Sequence, residues 1–119
     1  MKKILVVDDD TDILTMVRLT LSMHGFIVNG TPRWEDIDSA IESFQPGLVL
    51  LDIMLPGADG RQICKRIKSS PQTAHLPVIL FSANPDFGKD MEQYSADAFI
   101  AKPYELANLI STINNHILQ

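Results

Sequence analysis

The sequence predicts an α/β fold: one doubly wound domain of five strand–helix units, a five-stranded parallel sheet with helices on both faces. Three observations carry this reading. Five short apolar runs alternate along the 119 residues with stretches of helical periodicity. The runs are continuously apolar, as strands covered on both faces require. Strand–helix–strand alternation also packs back on itself through right-handed parallel crossovers. The composition, 45% hydrophobic and 21% charged, suits such a fold. A chain of this length buries about two-thirds of its unfolded surface, enough for one core. No repeat or linker divides it, so residues 1–119 are read as a single domain.

Taken in order, Ile4-Leu5-Val6-Val7 is the first strand. A helix follows with Ile13, Met16, Val17 and Leu21 at helical spacing, capped by Thr11 or Asp10 and ended by Gly25. Phe26-Ile27-Val28 is a weaker second strand. Thr31-Pro32 reads as the start of a second helix with Ile37, Ile41 and Phe44 on one face, broken by Gln45-Pro46-Gly47. Leu48-Val49-Leu50-Leu51 is the clearest strand. Pro56, Gly57 and Gly60 mark a loop, and Ile63, Cys64 and Ile67 are the buried side of a third helix. A fourth strand begins after Pro77, and Ala98-Phe99-Ile100-Ala101 is the fifth. Leu106, Leu109, Ile110, Ile113 and Ile117 trace an amphipathic last helix. Between Ala83 and Ala98, Pro85, Gly88 and few apolar residues predict a helix that is short or frayed.

Ten Lys and Arg against fifteen Asp and Glu leave a net charge of −5. That balance repels phosphate backbones and argues against direct nucleic-acid binding. Cys64 is the single cysteine, which excludes an internal disulfide and suits a reducing compartment. The apolar run after Met1-Lys2-Lys3 is too short for a signal peptide, and no stretch is long enough to span a membrane. A cytoplasmic location is the expectation.

In open α/β sheets, ligands bind beyond the carboxyl ends of the strands. Strand one ends at Asp8-Asp9, strand three at Asp52, strand four at Ser82 and strand five at Lys102. If strands one and three are neighbours, three carboxylates converge. At about 4 Å, each like-charged pair costs about 4 kcal/mol at an effective dielectric near 20. Such a cluster calls for a cation or a retained proton, and hard oxygen donors suit Mg²⁺ or Mn²⁺. Lys102 offers an ammonium, and Ser82 a hydroxyl, to phosphate-type oxygens. Together these groups are the parts for phosphoryl transfer onto an aspartate.

Val6-Val7-Asp8-Asp9, Leu51-Asp52-Ile53-Met54-Leu55-Pro56-Gly57, Asp59-Gly60, Phe81-Ser82-Ala83 and Ala101-Lys102-Pro103 resemble the signature blocks of the response-regulator receiver domain. They run the length of the chain, with spacings of 44, 30 and 20 residues between Asp8, Asp52, Ser82 and Lys102. The resemblance implies a strand order of 2-1-3-4-5 and a phosphoacceptor switch of two-component signalling rather than an enzyme acting on small substrates. It implies Asp52 as the phosphorylated residue, with Mg²⁺ held by Asp8, Asp9, Asp52 and the backbone carbonyl of Met54. Ser82 and Phe99 take the switch positions, Lys102 contacts the phosphoryl group, and Pro103 follows a cis peptide bond. The implied partners are a sensor histidine kinase or histidine phosphotransfer protein upstream, and a downstream protein or output domain. The chain departs from the family at 84–94, which is short and carries Pro85 and Gly88, and at Ser95, where glycine is common. Met54 and Asn84 sit at positions that tune dephosphorylation in the family.

Plainer readings apply elsewhere. Asp10 and Asp12 are first-turn acids. Arg61, Lys65 and Lys68 form a solvated stripe, Cys64 is a buried apolar residue, and His24, His75 and His116 have no metal-site spacing. Trp34 packs at the start of the second helix. Three rival functions fit the sequence less well. A calcium loop fails because Ile13 follows the third acid, and a flavodoxin-type site fails because the first turn is acidic. A small phosphatase of haloacid-dehalogenase type would use Asp8 with Asp10, but leaves Asp52 without a role.

Overall fold

The computed structural model describes residues 2–118, apart from the side chain of Asp90. In chain order the elements are β1 (Lys3–Val7), α1 (Thr11–Ser22), β2 (Ile27–Thr31), a 3₁₀ turn (Trp34–Asp36), α2 (Ile37–Phe44), β3 (Leu48–Asp52), β4 (Met54–Leu55), β5 (Ala58–Asp59), α3 (Gly60–Ser69), β6 (Val78–Ser82), a 3₁₀ segment (Pro85–Tyr94), β7 (Ala98–Ala101) and α4 (Leu106–His116). The five long strands pair in parallel in the order β2-β1-β3-β6-β7, the expected 2-1-3-4-5. Apart from Lys3 at the start of β1, the three central strands are apolar up to their carboxyl ends because helices cover both faces. On one face Ile4, Val6, Leu50, Ile79 and Phe81 meet Leu14, Val17 and Leu21 of α1 and Leu109 and Ile113 of α4. On the other, Leu5, Val7, Val49, Leu51 and Leu80 meet Ile37 of α2 and Ile63, Cys64 and Ile67 of α3.

Local chemistry sets the helix ends. The Asp10 carboxylate accepts hydrogen bonds from the backbone N–H groups of Asp12 and Ile13, so Asp10, not Thr11, caps α1. The buried stripe of α1 is Leu14, Val17 and Leu21, and Met16 faces outward at 58% exposure. Two stripes one residue apart fit the same spacing, and packing on the sheet selects one. Thr31 belongs to β2, where it pairs with Val7, so α2 starts later than Thr31-Pro32 suggested, after the 3₁₀ turn. The loop after β3 is itself paired: Met54–Leu55 and Ala58–Asp59 form a small antiparallel ladder around Pro56-Gly57. Gly57 has φ +80°, the left-handed geometry that glycine adopts without strain.

The region expected to be a weak fourth helix is 3₁₀ rather than α. Its apolar side chains are too few to bury a helix face, and Phe87, Met91 and Tyr94 reach only half-burial. What secures it comes from α3 and β7. The Arg61 guanidinium lies 4.4 Å from the Phe87 ring centroid and 5.4 Å from that of Tyr94. The same guanidinium is held by Asp59, from Nη2 at 2.7 Å and Nε at 3.1 and 3.2 Å. Gly88 packs so tightly on Phe99 that a Cβ there would come within 2.8 Å of the ring. The solvated stripe expected on α3 is therefore only partly so. Lys65 is exposed, but Lys68 donates to the Leu76 carbonyl and the Asp97 carboxylate, both at 3.0 Å. Asp97 in turn accepts the N–H of Val78 at 2.8 Å, which ties the start of β6 to the turn before β7.

Replacing Arg61 by alanine removes both ring contacts, each of about 0.5–1 kcal/mol. Amide hydrogen exchange over residues 86–95 should then accelerate roughly five- to thirtyfold, with β1, β3 and β6 unchanged.

Candidate functional site

The parallel register places the site. Val7 pairs with Leu51, so the residues one step further, Asp8 and Asp52, leave neighbouring strands side by side. Both carboxylates are buried, at 1% and 5% exposure, while Asp9 is exposed. A carboxylate oxygen from each of Asp8, Asp9 and Asp52 lies within 4.8 Å of the others. Lys102 arrives from the far side of the sheet, its backbone N–H fixed to the Ser82 carbonyl at 2.8 Å. Its ammonium donates to Asp8 Oδ2 at 2.9 Å and to Asp52 Oδ2 at 3.4 Å.

Each buried carboxylate is thus divided between two kinds of donor. One oxygen faces the lysine, and the other accepts a backbone N–H two residues on: Asp10 for Asp8 at 2.9 Å, and Met54 for Asp52 at 3.1 Å. The electrostatics do not balance at Asp52. Burial, and then the Asp8 charge, push its carboxyl up from an ordinary 3.8 to about 6, while Lys102 and the Met54 N–H pull the other way. A group so perturbed at the carboxyl end of a central strand is a functional-site signature. The donor set also fits a hard divalent cation, with several carboxylate oxygens converging beside an open surface.

The other expected residues have definite places. Ser82 is buried at the end of β6, and its hydroxyl accepts the N–H of Asn84 at 3.1 Å. Met54 turns its side chain outward, 62% exposed, with its backbone against Asp52. Phe99 is half-buried and packs into the cluster of Leu80, Phe87 and Ala96. The Lys102–Pro103 peptide is cis. Trp34 reaches the Pro56-Gly57 turn. Cys64 is buried and its thiol is pushed up to about 12 by burial, which makes it inert. Asp10, needed in the site by the phosphatase reading, spends its carboxylate on the α1 cap instead.

Residues that the sequence reading did not place in the site also shape it. Gly60 donates its N–H to the Ile53 carbonyl at 2.7 Å, and a Cβ at Gly60 would collide with the backbone carbonyl of Asp52. Its position beside Asp59 was the available signal. Tyr104 sets its ring edge-on to Phe81, with centroids 6.4 Å apart, and burial and Asp8 raise its phenol above the usual value. Only its nearness to Lys102-Pro103 hinted at this.

The family profile described as the response regulator receiver domain matches residues 4–114. The chain belongs to the receiver domain family. The receiver domain of RstA from Klebsiella pneumoniae, solved in its BeF3-activated form, superposes with a TM-score of 0.88 at 30% identity, over 99% of this chain and all of that one. A receiver domain from Bacteroides fragilis gives the same TM-score and identity over 100% of this chain and 98% of its own. The phosphate regulon transcriptional regulatory protein PhoB of Rhizobium meliloti is 30% identical over 116 residues, 93% of this chain and 50% of PhoB. The chain therefore spans about half the length of the curated relatives it matches. Membership excludes the haloacid-dehalogenase alternative and agrees with a phosphoacceptor switch of two-component signalling.

The raised carboxyl of Asp52 has a consequence for stability without divalent ions. A folded pKa of about 6 against 3.8 means that the folded chain holds this proton more tightly than the unfolded one. Its stabilising share is complete below about pH 4 and is lost as pH rises through about 6. Asp52→Asn should therefore be more stable than the wild type at pH 7.5, by on the order of 1 kcal/mol. The gap should close near pH 4. Paired thermal melts in a chelator at the two pH values check this, and a gap that widens on acidification contradicts it.

Proposed function

We propose that this receiver domain takes a phosphoryl group from a histidine kinase or histidine phosphotransfer protein onto Asp52. The observation that carries the reading is one ammonium shared between two buried carboxylates at the ends of adjacent strands, with a third carboxylate within 4.8 Å. An Asp52 carboxylate oxygen attacks the donor's phosphorus. A P–O bond forms as the donor's P–N bond breaks, and the imidazole leaves with the electron pair and recovers a proton. Lys102 exchanges its contact with Asp52 for a phosphoryl oxygen and so neutralises charge where it develops. Asp8, Asp9, Asp52 and the Met54 carbonyl would hold Mg²⁺ or Mn²⁺, which supplies positive charge to the phosphoryl oxygens when bound.

In this reading Ser82 and Phe99 are the switch. The hydroxyl at the end of β6 gains a phosphoryl acceptor, and the ring turns inward, shifting the surface around β7 between two populations. That surface addresses a downstream protein or output domain. PhoB and GltR, relatives of this chain, are named as transcriptional regulatory proteins. With a net charge of −5, this domain is assigned the switching role and not the DNA contact. Its chemistry is confined to acquiring and losing its own phosphoryl group. A cytoplasmic location fits its class, and among the described residues no helix is long and apolar enough to cross a membrane.

Intact-protein mass after incubation with acetyl phosphate tests the assignment. The wild type with Mg²⁺ should gain a single phosphoryl adduct, and chelation or Asp52→Asn should each abolish it. An undiminished adduct on Asp52→Asn removes Asp52 from its role.

A further inference from the structure

Lys102 has a long way to reach. It follows β7, whereas Asp52 ends β3 and Asp8 follows β1. Between β7 and β3 lies β6. Neighbouring strands are about 4.8 Å apart, so the side chain must cross β6 to reach Asp52, and β6 and β3 to reach Asp8. The residue beneath that crossing is Phe81, which pairs with Asp52 on one side and Ile100 on the other. The Phe81 ring is fully buried, and the Lys102 ammonium stands 4.4 Å from its centroid. Tyr104 packs edge-on against the same ring at 70°. The ring is therefore braced as well as close.

We propose that Phe81 is a positioning residue for Lys102, its ring face holding the ammonium over β6 in line with Asp52. The inference rests on the phosphoacceptor reading, in which Lys102 neutralises the transferring group. An aliphatic side chain here would fill the core but offer no negative ring face to the cation. The lysine, with four rotatable bonds, would then sample orientations away from Asp52, and the lost alignment would appear as a slower transfer. Nothing in the strand pattern demands an aromatic at this position. The Phe81 side chain joins the same apolar cluster as Ile79 and Ile100, where leucine or methionine would also pack.

The test is a double-mutant cycle on the rate of Mg²⁺-dependent phosphorylation by acetyl phosphate, read by intact mass. Phe81→Leu and Phe81→Met are each made in the wild type and in Lys102→Ala, with folding checked by circular dichroism. Both should slow the wild type by about three- to tenfold. Both should leave the already slow Lys102→Ala protein within about 1.5-fold, because the ring acts through the ammonium. Equal slowing in the two backgrounds would make Phe81 a plain core residue, and no slowing in the wild type would also overturn the inference. A second readout does not depend on rate. The Lys102 Hε protons, assigned by their loss in Lys102→Ala, should resonate upfield of ordinary lysine values through the Phe81 ring current. Ordinary shifts would place the ammonium off the ring and end the proposal. A wild type that accepts no phosphoryl group, with the upfield shift intact, would instead defeat the phosphoacceptor reading and the positioning role with it.

Discussion

Two buried carboxylates share one ammonium, and the arrangement of the site follows from that shortage of positive charge. Asp8 and Asp52 leave neighbouring strands at the same level, so the parallel register forces them together. Lys102 sits 2.9 Å from one and 3.4 Å from the other, and satisfies the nearer better. Burial, and then the remaining repulsion from Asp8, raise the Asp52 carboxyl to about 6. A site in this condition has a built-in demand for a cation, and the exposed carboxylate of Asp9 widens the place where one would sit. Phosphorylation would deepen the same imbalance, because it adds negative charge beside the single ammonium, and so would strengthen the demand for a cation.

The residues around the cluster hold it without supplying charge. Backbone N–H groups from Asp10 and Met54 occupy the carboxylate oxygens that Lys102 does not. Gly60 lets the start of α3 approach the backbone of Asp52 and Ile53 closer than any side chain would permit. The sheet beneath is rigid because its central strands are apolar and covered on both faces. By contrast, the 3₁₀ segment at Pro85–Tyr94 has no fully buried side chain among those described. It is pinned by the Arg61 guanidinium at Phe87 and Tyr94 and by the Gly88 contact with Phe99. Rigidity under the chemistry and weak attachment beside it are the physical conditions for a local charge change to move a surface.

The strands were legible because a parallel strand covered on both faces must be apolar at nearly every position, and Ile4 to Val7, Leu48 to Leu51 and Val78 to Phe81 have no other use. Their polar terminators, Asp8, Asp52 and Ser82, and Lys102 after β7, were legible for the same reason, since a polar group ending such a run has to be solvated or employed. Helix phase was less so. Ile13-Leu14 and Met16-Val17 offer two stripes of equal quality, and only contact with the sheet chose the second residue of each pair. The start of α2 shifted because strand pairing claimed Thr31.

The order of strands along the chain, the identity of the ionisable groups and the total charge belong to the sequence alone, because each is a property of residues in succession. The division of Lys102 between Asp8 and Asp52, the proton affinity of Asp52 and the bed of Phe81 under the ammonium belong to the tertiary structure. So does the diversion of Arg61 and Lys68 from solvent to Asp59, Asp97 and two aromatic rings. Apart from the Arg61–Asp59 pair, which is local, each of these depends on distance and burial between residues far apart in the chain, and Coulomb energies are set by those two quantities.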